Sequence, residues 1–437
     1  MSTAPARYLA RPVANVGGSI TVPGDKSISH RALMLGGIAR GTTRVRGFLA
    51  SEDCLATLAA LRALGVAIER PAPTEVIVHG AGPGGLRGAA AALDMGNAGT
   101  AIRLFMGLLA GQAFDSTLVG DASLMRRPME RVAQPLRTMG ARIDTSDGRP
   151  PVRIHGGQRL HAIDYAMPMA SAQVKSAVLL AALQAEGVTR VTEPAPTRDH
   201  TERMLEGFGA SVRREGATAA IAGGQALRAA DVAVPGDFSS AAFFIVAGCL
   251  AAGPGGLRVR GVGVNPTRTG LIDMLRLMGA DIHVTPCADG GAEPLADILV
   301  HRSALRGVAV PEALVPLAID EFPVFFVAAA AASGVTRVSG AGELRVKESD
   351  RLAVMAEGLA AVGVQCELRP DGLDIHGGPI AGGRIDSHGD HRVAMAFAVA
   401  AAIARAPIEI LDVANVATSF PGFPEVARAA GLDLAAL

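Results

Sequence analysis

Tryptophan is missing from this 437-residue chain, and only 3% of its residues are aromatic. Platforms on which single-stranded nucleic acid could stack are therefore not expected. Net charge is missing too: Lys and Arg number 41, and so do Asp and Glu. A general nucleic-acid binder would carry a basic excess. Cysteine is scarce, and Cys54, Cys249, Cys287 and Cys366 stand far apart with no CxxC among them. That spacing suggests neither a zinc ribbon nor a dense disulfide framework, and it fits a reducing cytoplasm. Long apolar runs are lacking as well. The longest, Phe322 to Ala332, is too short to span a bilayer, and the opening MSTAPARYLARPVANVGG has no continuous apolar stretch of the signal-peptide kind. The expectation is a soluble protein. With 49% hydrophobic residues there is ample apolar surface for two or three domains.

What is abundant is Ala, Gly and repetition. One phrase recurs six times, a helical stretch ending in a Gly that is followed by a strand-like run: LRALGVAI, LRTMGARI, LEGFGASV, LRLMGADI, LAAVGVQC and ARAAGLDL. Its glycines, Gly65, Gly140, Gly209, Gly279, Gly363 and Gly431, are 75, 69, 70, 84 and 68 residues apart. Gly just past a helix end supplies the left-handed cap. Each unit also begins alike, with polar residues leading into an apolar helix: DKSISHRALMLGGIA, NAGTAIRLFMGLLA, SAQVKSAVLLAAL, DFSSAAFFIVAGCLAA, DEFPVFFVAAAAA and DHRVAMAFAVAAAIA. Helices apolar on every side are buried on every side. Each unit thus reads as helix, strand, helix, strand, a compact sub-domain built around central helices. The phrase VPGD stands at Val22–Asp25 and again at Val234–Asp237, with three units between the copies and three after the second. Two readings are open: paired crossings between two three-unit domains, or ordinary Pro-Gly turns before helix caps.

The polar clusters at the helix starts are where chemistry can sit, because a helix N-terminus presents free N–H groups and a positive dipole end. Lys26, Ser27 and Arg31 occupy the first cluster, which fails as a Walker A loop because Asp25 interrupts it. Its alternative is a cap by Asp25 or Ser27. Asn97, Gly99 and Thr100 form the second, with Arg103 one turn on, and Arg126-Arg127-Pro128 follows a strand-like run. Ser171, Ala172, Gln173 and Lys175 open the third apolar helix, and Thr197-Arg198-Asp199-His200 comes next, a cap with charge pairs or, more weakly, part of a metal site. In the second half, Asp320-Glu321 precedes a wholly apolar helix, and Glu348 lies within Arg345–Arg351, a charge pattern that also suits a salt-bridged helix start. Asp390-His391-Arg392 opens the sixth helix, but no GxSxG elbow accompanies that His-Asp pair. Together Lys26, Arg31, Arg127, Arg198, Lys347, Arg351 and Arg392 imply a cleft between two domains for phosphorylated or carboxylated small molecules.

The stretches GDKSISHRA, GNAGTAIR, GDASLMRRPM, PMASAQVKSA, TRDHTE, NPTRTG, IDEFP, LRVKESDRL, GDHRVAMAF and TSFPGFP closely resemble the 5-enolpyruvylshikimate-3-phosphate synthases, from about Val22 to Phe423 and in family order. The wording of TRDHTE and SAQVKSA looks most like the bacterial branch that includes glyphosate-tolerant members. The resemblance implies an α/β (α+β) chain of two domains, each of three βαβαββ-type units with buried helices and sheets outside. One domain would hold 1–22 and 238–437 and the inserted one 23–237, hinged at 22–25 and 234–237. It implies transfer of the enolpyruvyl group of phosphoenolpyruvate to the 5-hydroxyl of shikimate 3-phosphate, the sixth step toward chorismate and aromatic amino acids. No cofactor, metal, nucleic-acid or membrane partner is implied, and a monomer is expected.

Carried over by motif, Ser27 and Arg31 would hold the shikimate carboxylate, and Lys26 would lie between the two substrates. Ser171, Ala172 and Gln173 would contact shikimate 3-phosphate, and Lys347 would reach its hydroxyls. Asn97, the Gly99 backbone, Arg127, Gln173, Arg351 and Arg392 would surround phosphoenolpyruvate. Asp320 would take the 5-hydroxyl proton, and Glu348, assisted by Lys26, would supply one to the vinyl carbon. Ala172 and Pro194 replace serines common in the family, so Arg198 is the candidate substitute phosphate ligand. Thr418 stands for a Lys and Glu343 for an Asn. Gly99 lacks the methyl group that tolerant relatives carry, while Leu104 stands where sensitive enzymes have Pro; inhibition by glyphosate is expected. Two rivals are weighed against this reading. The sister enzyme acting on UDP-N-acetylglucosamine uses a Cys in the loop equivalent to Gly120–Pro128, where this chain has none. A non-catalytic cleft-binding repeat protein would not require Asp320, Glu348 and the cations together.

Overall fold

The computed structural model of the protein describes residues 7–287 and 293–437. The chain divides into two compact units. An inserted unit comprises Gly24–Val234 with Glu293, and a discontinuous unit holds the described residues up to Pro23 and from Pro235 onward, Glu293 apart. Each has its own hydrophobic core. The cores are built on the helices foreseen as apolar all round: Lys26–Ile38, Gly99–Leu109 and Ala172–Ala182 in the inserted unit, and Phe238–Ala251, Phe322–Ala331 and His391–Ala400 in the discontinuous one. Every residue of Phe238–Ala251 is buried. No helix among the described residues is long and apolar enough to cross a membrane.

Strands cover these helices with one face inward, as in Val188–Thr192, where buried and exposed residues alternate. The sequence phrase accounted for one strand after each second helix. The structure has two in five of the units, an antiparallel hairpin such as Ala67–Ala72 with Glu75–Ala81. Its second strand is the one that joins the earlier strand, Arg40–Arg46. The missing strand follows the repeated phrase by only a short turn and carries no shared wording of its own. In the sixth unit the N-terminal strand Arg7–Arg11 takes that position, paired on one side with Ile408–Leu411 and on the other with Asp433–Ala436.

The leading strand of a unit runs parallel to the first, as Asp164–Ala166 does beside Val188–Thr192. Two units exchange theirs. The sheet that contains Arg40–Arg46 is completed by Val232–Ala233, and the one that contains Ala252–Gly263 is completed by Val16–Thr21. Both exchanges occur at the VPGD phrases. Each phrase also ends in a helix cap, with Asp25 accepting from the Ile28 N–H at 2.9 Å and Asp237 from the Ser239 N–H at 2.7 Å. Gly24 is obligatory, since a Cβ there would lie 1.8 Å from the Gly47 carbonyl oxygen.

All six repeat glycines adopt φ between 82° and 98°. At each, the Gly N–H bonds the carbonyl three residues back and the following N–H the carbonyl five back, as in Gly65 to Arg62 and Val66 to Leu61. This is the Schellman closure, which only a residue tolerant of the left-handed region supports cheaply. Where the phrase reads Arg-x-x-Gly, the guanidinium reaches a carbonyl of the next strand: Arg62 to Ile68, Arg137 to Ile143, Arg276 to Ile282 and Arg428 to Leu434. The repeated phrase therefore encodes the helix end together with the start of the strand.

Candidate active site

In the inserted unit most of the predicted residues sit at the starts of its three buried helices, while Arg127 follows the turn Leu124–Arg126 and Arg198 lies in a loop. Asp25 caps the first, so of the two capping candidates there it is Asp25 that acts. Lys26 opens the helix with its Nζ 3.0 Å from Asp53 Oδ2. Arg31 is buried one turn further, and its hydrogen-bond partners are neutral oxygens: Thr201 Oγ1 at 2.7 Å, Ser176 Oγ at 2.8 Å and the Ser27 carbonyl at 2.9 Å. Burial pushes its guanidinium down to about 10, Arg198 adds to that fall, and Glu202 and Asp25 partly offset it. Arg198, half-buried in the loop before helix His200–Gly207, is thus within electrostatic reach of Arg31.

Ser171 caps helix Ala172–Ala182, accepting from the Val174 N–H at 3.4 Å, and Ala172 is the first helical residue. The Gln173 amide is pinned at both ends: Oε1 accepts from Arg103 at 2.7 Å and Nε2 donates to Thr100 Oγ1 at 3.0 Å. Arg103 also donates to the carbonyls of Gly99 and Pro128, tying Gly99, the Arg127 loop and Gln173 into one frame. Arg127 is buried and donates to Asn97 Oδ1 at 2.6 Å and to Ser123 Oγ at 3.3 Å. A Cβ on Gly99 would stand 2.8 Å from Arg127 Nη1. Lys175 is enclosed by Glu202 at 2.7 Å and Glu193 at 2.9 Å and therefore serves the interior.

The discontinuous unit assembles a different cluster. Arg351 is completely buried, with Asp390 at 2.8 Å, Glu348 at 2.5 Å and Asp320 at 3.4 Å. Burial alone would disfavour its charge, yet the carboxylates of Asp390, Glu348 and Asp320 together hold it above its ordinary value. Burial would likewise raise Asp390, but Arg351 overrides it and holds the carboxyl below its usual range. Lys347 Nζ is 3.5 Å from Asp320 Oδ1 and 3.9 Å from Glu343. Arg392 donates to the Asp320 carbonyl at 3.0 Å. Asp320, Glu348, Lys347, Arg351 and Arg392 are therefore brought into one contiguous group.

Several local readings change. LRVKESD does not begin a helix: Gly342–Val346 is a short 3₁₀ turn, and the helix starts at Arg351 under an Asp350 cap. Asp199 pairs with Arg203 and Arg214, while His200 bonds Glu293, so that pair does not converge on a metal. Thr418 is buried and donates to the Asn415 carbonyl, so it brings no charge to the place where the resemblance implied a Lys. Residues that the motif reading left out of the site also appear. Asp390 clamps Arg351, and Glu321, neighbour of Asp320, is buried against Ser239 and lies 3.9 Å from both Arg268 and Arg392. Their sequence signal was membership of the helix-start clusters Asp320-Glu321 and Asp390-His391-Arg392, which does not reveal which way a side chain turns.

Comparison with known proteins shows the family. The family model of EPSP synthase (3-phosphoshikimate 1-carboxyvinyltransferase) matches residues 10–427. The 3-phosphoshikimate 1-carboxyvinyltransferase of Methylococcus capsulatus is 58% identical over 428 residues, with 98% of each chain covered. That of Xanthomonas campestris pv. campestris is 57% identical over 437 residues, with 100% of each covered. The solved structure of EPSP synthase from Acinetobacter baumannii has a TM-score of 0.86 at 52% identity, covering 98% of this chain and 99% of that one.

Proposed function

The chain belongs to the EPSP synthase family, and from that premise we propose that it transfers the enolpyruvyl group of phosphoenolpyruvate to the 5-hydroxyl of shikimate 3-phosphate and releases phosphate. The observation that carries the residue-level reading is the group of Asp320, Lys347, Glu348 and Arg351, two carboxylates set among cations within 3.5 Å. Asp320 takes the proton of the 5-hydroxyl as its oxygen bonds C2 of phosphoenolpyruvate, and Glu348 gives a proton to C3, which becomes a methyl group. In the second half of the reaction the methyl group returns a proton, the C2–O bond to phosphate breaks and the double bond reforms. Arg127, Arg351 and Arg392 hold the phosphoenolpyruvate anion, with Asn97, Gly99 and Gln173 beside it. Ser27, Arg31, Ser171, Ala172, Gln173, Arg198 and Lys347 receive shikimate 3-phosphate, and Lys26 serves both substrates.

Glyphosate is proposed to compete at the phosphoenolpyruvate subsite, and the protein to act as a cytoplasmic monomer, in keeping with its four free cysteines. The test is phosphate release from phosphoenolpyruvate with shikimate 3-phosphate and, in parallel, with UDP-N-acetylglucosamine. Release with the first acceptor alone, abolished by Asp320→Ala and by Lys26→Ala, is expected. Release with the sugar nucleotide, or silence with both from folded protein, would overturn the reading.

A further inference from the structure

A second cluster of ligating groups lies on the outer face of the discontinuous unit. Strands Asp281–Pro286 and Leu295–His301 form an antiparallel hairpin whose register runs from Asp281↔His301 to Pro286↔Ala296. Side chains two apart on a strand share a face, and so do directly opposed partners. Asp281, His283 and His301 therefore project from one face at the open end of the hairpin. Their ligand atoms all lie within 4.8 Å of one another. His283 Nε2 already stands 2.8 Å from Asp281 Oδ1, and the two imidazoles meet edge to face with centroids 5.8 Å apart.

From this geometry we propose that Asp281, His283 and His301 form a surface site for a divalent transition ion, with Zn²⁺ as the reference occupant. The donor set, two imidazoles and a carboxylate, is one that Zn²⁺ accepts. Zn–N and Zn–O bonds of about 2.0–2.2 Å put donors on one tetrahedral ion about 3.3 Å apart. The Asp281–His283 pair is already near that spacing, and His301 closes on it by side-chain rotation. The hairpin holds the three backbones in register before the ion arrives, so little chain entropy is lost on binding. The fourth position faces solvent and takes water. The ion ties two strands of one sheet together and takes no part in enolpyruvyl transfer.

The experiment uses tag-free, chelator-treated full-length protein titrated with ZnCl₂ by calorimetry, and with Co²⁺ by visible absorption. One equivalent bound with micromolar affinity and tetrahedral Co²⁺ bands are expected. His283→Ala and His301→Ala should each weaken binding at least tenfold, and the double variant should abolish the bands with phosphate release unchanged. Asp281→Asn should weaken binding less. Absence of binding at millimolar Zn²⁺, or stoichiometry and affinity unchanged in the double variant, would overturn the site and leave an ordinary exposed His–Asp ion pair.

Discussion

Arg31, within the buried helix Lys26–Ile38 of the inserted unit, and Arg351, at the start of the partly buried helix Arg351–Ala361 of the discontinuous unit, are both buried guanidinium groups, yet their surroundings are opposite. Arg31 donates to two hydroxyls and a carbonyl, and burial pulls it down to about 10. Arg351 is held by three carboxylates and sits above its ordinary value. The first is a cation whose charge is under-compensated and which gains from an arriving anion. The second is a cation already surrounded by negative charge, so an anion there must share it with three carboxylates. The first environment holds an anion on bare positive charge, and the second sets carboxylates beside the cation that would hold one, which is what proton transfer next to a bound anion needs.

The largest expected effect sharpens that division. Asp320→Ala should lower kcat by about 10³-fold, within the range for loss of a positioned acid–base group, with the KM for shikimate 3-phosphate little changed. A KM effect alone would make Asp320 a binding residue and break the contrast. Arg351→Met strands three carboxylates, so urea unfolding should show a loss of about 3–5 kcal/mol, whereas Arg31→Met should cost under about 1 kcal/mol. Equal losses would show that the two arginines are neutralised alike.

Acid should separate the units in the same way. His30, buried against Thr57, is pushed down to about 3. Unfolded His takes up its proton near 6.5, so the unfolded chain binds more protons between those values and stability falls as pH drops below 6.5. Asp390 is held below its usual 3.8, so its contribution is complete above that value and fades only as pH falls further through the lowered one. His30→Gln should flatten the stability profile between pH 6.5 and 4, and a profile unchanged by that substitution would contradict the assignment. Smaller effects follow within the inserted unit. Gly99→Ala places a methyl group against Arg127 and should raise the KM for phosphoenolpyruvate about tenfold, with glyphosate inhibition weakened at least as much. Arg198→Ala should raise the KM for shikimate 3-phosphate up to about tenfold, and an unchanged value would remove it from the phosphate site.

Much of this was legible in the residues. The six phrases, five Leu-x-x-x-Gly and one Ala-x-x-x-Gly, marked helix ends because the left-handed cap is a local requirement, satisfied within a few residues of each glycine. The apolar helices announced their burial because no face of them can meet water. The identities of Lys26, Arg31, Asp320, Glu348 and Arg351 as chemically special came from motif wording. Pairing was another matter. Nothing in VGGSIT says that it completes the sheet of Ala252–Gly263, nor in RYLAR that it lies between Ile408–Leu411 and Asp433–Ala436. Such pairings join segments hundreds of residues apart, and a strand's partner is chosen by the sheet edge left open when the cores close.

By itself, then, the sequence determined the repeat, the caps, the buried helices and the list of ionisable residues worth watching, since each depends on short-range geometry or on side-chain type. Tertiary structure alone decided that Asp320 faces Lys347 and Arg351 while its neighbour Glu321 turns toward Ser239 and Arg268. It alone decided that Arg31 is left among hydroxyls while Arg351 is ringed by carboxylates. Charge in a low-dielectric interior is governed by the groups within a few ångströms, and several of those neighbours, such as Thr201 and Ser176 for Arg31 or Asp320 and Asp390 for Arg351, come from segments distant in the chain.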